Sequence, residues 1–383
     1  NNVAHLLTLN ADGGGSLVTN ARTAAADFAV VDRKDDDLAA LLYSSGTTGV
    51  PKGIMLSHLN LRSNAECLLE AWGFSSDDVL LHALPIFHVH GLFVALGCVF
   101  LSGASMHWLQ DFNVDQVVDH LPNCTVMMGV PTYYTRLLSN DRFGQTLTNN
   151  IRLFISGSAP LLSETFDEFL DRTGQSILER YGMTETNAIG TAIAGGNYLE
   201  RPGSSGQPAA VLDIRIVDEE DNERPKGERG EVQIRGTSMF RGYWNNPEAT
   251  ANSLVDGWFK TGDIGYMDEE DYLFIVDRIK DMVIRGGENI GCGEVEAALL
   301  EHPLIREAAV YSVPDQRLGE EVGATIYSEG ADIDDGELRE FLATRIARFK
   351  IPRYIQVSDA LLPRTASEKI YKLHIKQQAL AAL

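Results

Sequence analysis

Residues 38–53 read Leu38-Ala39-Ala40-Leu41-Leu42-Tyr43-Ser44-Ser45-Gly46-Thr47-Thr48-Gly49-Val50-Pro51-Lys52-Gly53. The apolar run Leu38–Tyr43 reads as a strand, and it opens directly into hydroxyl side chains spaced by glycines and closed by a lysine. Small residues let the backbone approach a ligand. Consecutive N–H groups and hydroxyls surround phosphate oxygens, and Lys52 adds a point charge. A P-loop places Gly immediately before its lysine and Ser or Thr after it. Here Pro51 and Gly53 hold those places, which disfavours that class.

Outward from this stretch, apolar runs alternate with helical patterns to about residue 190. Leu38–Tyr43, Val79–Leu84, Ala104–Leu109, Thr125–Gly129 and Ile151–Ser156 read as short buried strands, with helices near 58–72, 89–101, 113–121, 131–139 and 161–173. Such alternation predicts a largely parallel, helix-covered sheet. From Gly195 the pattern changes to a Gly/Pro/Ser-rich loop and then antiparallel-looking strands around acidic turns (213–217, 231–235, 265–267, 272–276). A third pattern, helix 293–301, strands 306–313 and 321–328, helix 335–348, strand 353–357 and helix 371–382, predicts a small α+β domain. Asp277-Arg278-Ile279-Lys280-Asp281 sits at the junction, where a hinge belongs.

The chain has 383 residues, 32 Lys+Arg against 54 Asp+Glu, and a formal charge of −22. That balance argues against a nucleic-acid-binding protein, which needs a dominant basic face. It leaves small anionic ligands open, since these need only local cations. The acidic turns are solvated surface. Four cysteines (Cys67, Cys98, Cys124, Cys292) lie far apart with no CxxC pair, which argues against a disulfide scaffold or zinc site and for a reducing, cytoplasmic setting. The uncharged stretch Gly91–Leu109 approaches bilayer length but holds three glycines, two serines and a His, so a buried helix followed by a strand is expected instead of a membrane span. There is no initiating Met, and Asn1-Asn2 is no targeting signal.

Further motifs complete a pattern. Glu179-Arg180-Tyr181-Gly182-Met183-Thr184-Glu185-Thr186 sets a carboxylate beside a hydroxyl, suited to a hard cation that keeps substrate phosphates as other ligands. Ser156-Gly157-Ser158-Ala159-Pro160 follows a strand and opens a helix. Trp258-Phe259-Lys260-Thr261-Gly262-Asp263 offers a carboxylate acceptor for a diol. Leu362-Pro363-Arg364-Thr365-Ala366-Ser367-Glu368-Lys369-Ile370 carries a lysine near the C-terminus.

Together these segments resemble the adenylate-forming superfamily of acyl-CoA synthetases, luciferases and carrier-protein adenylation domains, and the resemblance covers nearly the whole chain. It implies an α/β fold: a large N-terminal domain of layered parallel sheets and helices (1–278, with a β-barrel-like antiparallel subdomain at 196–278) and a small mobile α+β C-terminal domain (279–383). It implies that the chain lacks the family's beginning. It assigns ATP/AMP binding to Ser44, Ser45, Gly46, Thr47, Thr48, Gly49, Lys52, Ser158, Ala159, Pro160, Glu179, Arg180, Tyr181, Gly182, Met183, Thr184, Asp263, Arg278 and Lys369. Tyr181 would stack on adenine and Thr184 would contact phosphate. Glu185 would hold Mg²⁺, and Asp263 and Arg278 would hold the ribose. Lys369 would be the catalytic lysine between carboxylate and α-phosphate. Lys280 would be the hinge, and Gly286 and Gly287 would pass the pantetheine of CoA. ATP, Mg²⁺ and CoA are the expected cofactor and co-substrates. The family's Gly before the catalytic Lys is Glu368 here, and its Tyr-Pro after Gly-Gly-Glu-Asn-Ile is Gly291-Cys292.

Two segments narrow the acid. His82-Ala83-Leu84-Pro85-Ile86-Phe87-His88-Val89-His90-Gly91 and Gly129-Val130-Pro131-Thr132-Tyr133-Tyr134-Thr135-Arg136-Leu137-Leu138 are most similar to malonyl-CoA synthetases. There, an Arg at the position of Arg136 pairs with the distal carboxylate. A guanidinium grips a carboxylate through two parallel hydrogen bonds. His88 either orients the reacting carboxylate or packs beside the acyl pocket. His82 and His90 read as structural. The expected partners are therefore a short dicarboxylate, ATP and CoA. The alternatives are a CoA ligase for methylmalonate or a medium-chain or aromatic acid, and a non-catalytic nucleotide-binding homologue.

Overall fold

Five parallel strands form the centre of the computed structural model, in the order Ser105–Trp108, Val79–His82, Val126–Gly129, Leu153–Ser156 and Ile177–Glu179. Residues 6–10, 12–27, 29–44, 51–188, 190–192, 203–365 and 369–382 are described. Ser45, Gly46, Thr47, Thr48, Gly49 and Glu368 lie outside them.

Val126–Gly129 and Leu153–Ser156 are buried along their whole length, as strands covered on both faces by helices must be. The covering helices begin and end on sequence-encoded caps. Ser57 and Asn60 form a capping box at the start of His58–Trp72, and Gly73 closes that helix in the left-handed region. Asn113 caps Val114–His120 through its side chain, and Pro131 occupies the first turn of Pro131–Leu138. At the sheet's edge, buried Asp78 accepts from Arg152 Nε at 2.8 Å and Nη2 at 2.7 Å. The Arg152 guanidinium also caps the carbonyls of Trp72 and Gly73, tying helix end to sheet.

Two expectations need correction. Leu38–Ser44 does not join the parallel sheet but pairs antiparallel with Lys52–Ser57. Its residues are mostly half-exposed, and a short connection favours a hairpin over a crossover. The helix expected at 89–101 divides into a wide π-turn, His90–Ala95, and an α-helix, Leu96–Ser102.

The second sheet is antiparallel, built from Leu212–Val217, Gly230–Gly236, Trp258–Met267, Leu254–Val255 and Leu273–Arg278. Its apolar face joins the same core as the parallel sheet, a cluster that runs from Ile54 to Leu273. A separate core begins at Val283. There Met282–Arg285, Glu288–Gly291, Glu307–Asp315, Gly319–Tyr327 and Tyr354–Ser358 form a third sheet covered by Cys292–Leu300 and Asp335–Ala343. Gly286 (φ 60) and Gly287 (φ 92) turn its first hairpin. Positive φ at both turn residues gives the twist of a tight hairpin, a conformation glycine adopts without strain. The cysteines are buried and unpaired, and no helix among the described residues is long and apolar enough to cross a membrane.

Candidate active site

Side chains from the parallel sheet's loops, from the second sheet and from the segment before the last helix meet near the C-terminal ends of the parallel strands, the usual ligand edge of such a sheet. Three groups of contacts build the site.

The first begins at Lys52, the first residue of its strand and the register partner of Ser44, so the two ends of the glycine-rich stretch lie side by side. Lys52 Nζ stands 4.8 Å from the centre of the Tyr243 ring, and the Tyr243 hydroxyl donates to Glu185 Oε1 at 3.0 Å. Glu185 lies on the single 3₁₀ turn Thr184–Thr186, pinned because its carbonyl accepts from the Phe240 N–H. Burial raises its pKa, opposed by hydrogen bonds from the backbone and Tyr243 and by the Lys52 and Arg278 charges. A half-buried carboxylate short of cationic partners suits Mg²⁺, which takes one or two carboxylates and fills its shell with water and phosphate. No cluster of three or more metal-binding side chains occurs among the described residues.

The second group is Tyr181, Asp263 and Arg278. The Asp263 side chain is only 3% exposed; its Oδ2 accepts from the Tyr181 hydroxyl at 2.6 Å and its Oδ1 from Arg278 Nε at 3.1 Å. Asp263 and Arg278 face each other across adjacent antiparallel strands. Gly190 packs against the Tyr181 ring so closely that a Cβ would come within 2.8 Å of its Cδ1.

The third group surrounds a small cavity of about 30 Å³ lined by His88, His90, Tyr133, Ser158 and Lys369, with Pro85 and Val130 among its apolar walls. His88 Nδ1 accepts from the His90 backbone N–H at 3.3 Å, so the neutral ring carries its hydrogen on Nε2. Burial, with Lys369 and Arg180 nearby, lowers His88 to about 4, so it is neutral at ordinary pH. Ser158 holds a left-handed backbone (φ 72), unusual for a residue with a Cβ, and its hydroxyl meets His90 Nδ1 at 3.3 Å. Lys369 keeps exposed surface as a residue, yet its ammonium is pushed down to about 8 by loss of water and by the Arg278 charge.

The remaining expected residues divide. Ala159 and Pro160 are exposed beside Ser158; Glu179 accepts from the Leu161 N–H at 3.1 Å and so braces that loop. Gly182, Met183 and Thr184 are half-buried around the Glu185 turn. Gly286 and Gly287 are exposed at their hairpin, and Lys280 is exposed on the 3₁₀ turn Ile279–Asp281 between the second and third sheets. Arg136 is exposed and does not line the cavity. Its guanidinium stands 4.8 Å over the Phe112 ring, which stacks at 3.8 Å on Tyr133.

Two features escape sequence reasoning: Tyr243 altogether, and the burial of Arg180, which the resemblance places with the nucleotide-binding residues. Tyr243 links Lys52 to Glu185; its only signal is the aromatic, Gly-containing run Phe240-Arg241-Gly242-Tyr243-Trp244. Arg180 is buried behind the cavity wall, with one guanidinium nitrogen donating to the Ala188 carbonyl and Nε and Nη2 without partners. Burial lowers it to about 10, still a cation.

Residues 5–244 match the AMP-binding enzyme family and residues 294–369 the AMP-binding enzyme C-terminal domain. A feruloyl-CoA synthase from an Amycolatopsis species is 36% identical over 90% of this chain and 70% of its own length. A mitochondrial malonate–CoA ligase from Homo sapiens is 35% identical over 87% of this chain, which spans 64% of that ligase. Among solved structures, ATP-bound MatB from Rhodopseudomonas palustris is 43% identical, with a TM-score of 0.93 over 98% of this chain and 75% of that one. Against the apo form of MatB the TM-score is 0.77. The arrangement here is thus nearer to the ATP-bound one.

Proposed function

This chain belongs to the AMP-binding enzyme family, and from that premise we infer that it activates a short dicarboxylic acid, malonate, with ATP and passes it to CoA. The single observation that carries the adenylating step is Lys369, from the last sheet's domain, lining one cavity with His88 and Ser158 of the first.

In the first half-reaction a carboxylate oxygen of the acid attacks the α-phosphorus of ATP. An acyl–adenylate bond forms, and the bond to pyrophosphate breaks with its electron pair leaving on pyrophosphate. The Lys369 cation stabilises the negative charge gathered on the transferring phosphoryl oxygens, and the Nε2–H of neutral His88 donates to the carboxylate. Asp263 has lone pairs left for a ribose diol after accepting from Tyr181 and Arg278. The Tyr181 ring stacks on the adenine. Lys52 holds the outer phosphates and Glu185 the Mg²⁺ that neutralises their charge when bound. In the second half-reaction the CoA thiolate attacks the acyl carbon and AMP leaves with the pair of the broken C–O bond. Lys369 has no part in that step, and turning about Lys280 removes it, a hinge-type change. Gly286 and Gly287 line the path of the pantetheine arm.

The acid class follows from Arg180. A buried guanidinium with two unpartnered donors costs free energy unless an anion meets it. A dicarboxylate offers a second anion after the first has reacted, and a fatty acyl chain offers none. Arg136, exposed on the Phe112–Tyr133 stack, stands outside the cavity and is not held to an anion there. The likeness to a feruloyl-CoA synthase makes an aromatic acid the competing substrate. Acid-dependent ATP–pyrophosphate exchange with malonate, octanoate and 4-coumarate separates these readings. Malonate is expected to support exchange; turnover of octanoate or 4-coumarate with malonate silent refutes the assignment.

A further inference from the structure

Lys369 sits on the returning limb of a narrow antiparallel pair. Arg364 and Ile370 form a bridge, the Thr365 N–H donates to the Lys369 carbonyl at 2.8 Å, and the Tyr371 N–H donates to the Pro363 carbonyl at 2.7 Å. The outgoing limb is anchored by buried Glu307, the first residue of Glu307–Asp315. Its carboxylate accepts from the Leu362 N–H at 2.7 Å and pairs with the Arg364 guanidinium. Beside it, Leu362 packs with Ala309, Tyr311 and Ile375. The returning limb is anchored at Lys372, which opens the helix Lys372–Ala382. Its Nζ lies 2.7 Å from Glu296 Oε1 on Cys292–Leu300, and that oxygen also accepts from the Val310 N–H at 2.7 Å. Glu296 thereby ties Lys372 to the strand that carries Glu307. Apolar packing alone leaves such a pair of limbs free to slide. One charge-assisted contact on each limb fixes its height and rotation together.

We propose that Glu307, through Arg364 and Leu362, and Glu296, through Lys372, are positioning residues that clamp the Lys369 segment at two points and so deliver its ammonium to the cavity. The proposal rests on the reading of Lys369 as the adenylating cation. Lys372 stays a cation there: burial works against its charge, yet Glu296, with Cys292 and Asp281 nearby, outweighs that and raises its pKa. A clamp of this kind acts on one half-reaction only, because the thiol step does not use Lys369. Small displacements of a reacting group cost about 100-fold in rate even when the cause is remote.

The test uses the full chain carrying Glu307→Gln, Lys372→Met or Lys372→Arg. Three quantities are measured: kcat and KM for ATP in malonate-dependent exchange, the rate of thioester formation from supplied malonyl-adenylate, and the melting temperature. The expected result is a kcat for exchange reduced about 10- to 100-fold in Glu307→Gln and Lys372→Met. The KM for ATP and the thioester rate should stay within about threefold of the parent, and Lys372→Arg should recover most of the loss because it keeps the charge. Should Glu307→Gln not fold, Lys372→Met against Lys372→Arg decides. Parent-like exchange in Lys372→Met overturns the proposal, as does an equal loss of both half-reactions at an unchanged melting temperature. If the unaltered protein shows no exchange with any acid of the panel, the reading of Lys369 fails first and the clamp falls with it.

Discussion

Raising the pH should switch off adenylation in a way that a surface lysine does not allow. An ordinary lysine titrates near ~10.4, but burial and the Arg278 charge push Lys369 down to about 8. The group is needed as a cation, so its contribution is present below that value and lost as pH rises through it. For a group titrating at about 8, the protonated fraction falls from about nine-tenths at pH 7 to about one-tenth at pH 9, close to a tenfold loss. The parameter kcat/KM reports the free enzyme and should show this limb near 8; kcat should show it higher, because bound triphosphate favours the ammonium. The assay is malonate-dependent ATP–pyrophosphate exchange between about pH 6 and pH 10, with thioester formation from supplied malonyl-adenylate as the internal control. Lys369→Arg removes the titration, since a guanidinium stays charged throughout. Its residual exchange is expected to be low but flat across the same range. The reasoning is refuted if the parent's kcat/KM stays flat to about pH 10, or if Lys369→Arg keeps the alkaline limb at the same place.

Other contacts make further demands. Arg180→Met should raise the KM for malonate by ten- to a hundredfold, the equivalent of about 1.5–3 kcal/mol for hydrogen bonds to a charged group, while Arg136→Met does less because its guanidinium is already solvated and stands on Phe112. Equal effects in initial-rate kinetics would contradict the ranking. Tyr243→Phe removes the donor to Glu185, so burial raises that carboxylate further. Titrating Mg²⁺ in the exchange assay should show a weaker apparent affinity, with the deficit growing as the pH is lowered, because protonation competes with the metal for a carboxylate whose pKa is raised further. Asp78→Asn breaks an ion pair whose carboxylate is buried but whose guanidinium is 40% exposed, and should lower urea-measured stability by about 1.5 kcal/mol without altering substrate KM values. Although burial opposes the charge, the Arg152 hydrogen bonds win and lower the Asp78 pKa. Its stabilising effect is therefore complete above the unfolded-chain value and disappears as pH falls through the folded one.

Much of the site was legible because it is made of short contiguous segments. Tyr181, Glu185, Asp263 and Lys369 each stand in a motif to which the family resemblance assigns a contact with adenine, metal, ribose or phosphate, and strand–helix alternation carries the ends of those segments to one edge of a sheet. Register was less legible. Leu38–Ser44 has the composition of a buried parallel strand, and what makes it the half-exposed limb of an antiparallel hairpin is the pairing of Ser44 with Lys52. That pairing follows from the length of the connection and from what covers the strand, neither of which local pattern encodes. Side-chain direction was least legible. Arg136 and Arg180 are both single cations in motif segments, and nothing local says which one is buried. Gly157 decides it for Arg180. A Cβ there would stand 3.1 Å from the Arg180 Cγ and Nε, so the bare glycine backbone leaves the guanidinium room to turn inward. The same bend carries Ser158 into its left-handed conformation and onto His90. Gly157 and Ser158 therefore act as one unit. Gly157→Ala should displace the guanidinium and raise the KM for malonate more than that for ATP, as a substitution confined to the nucleotide side would not.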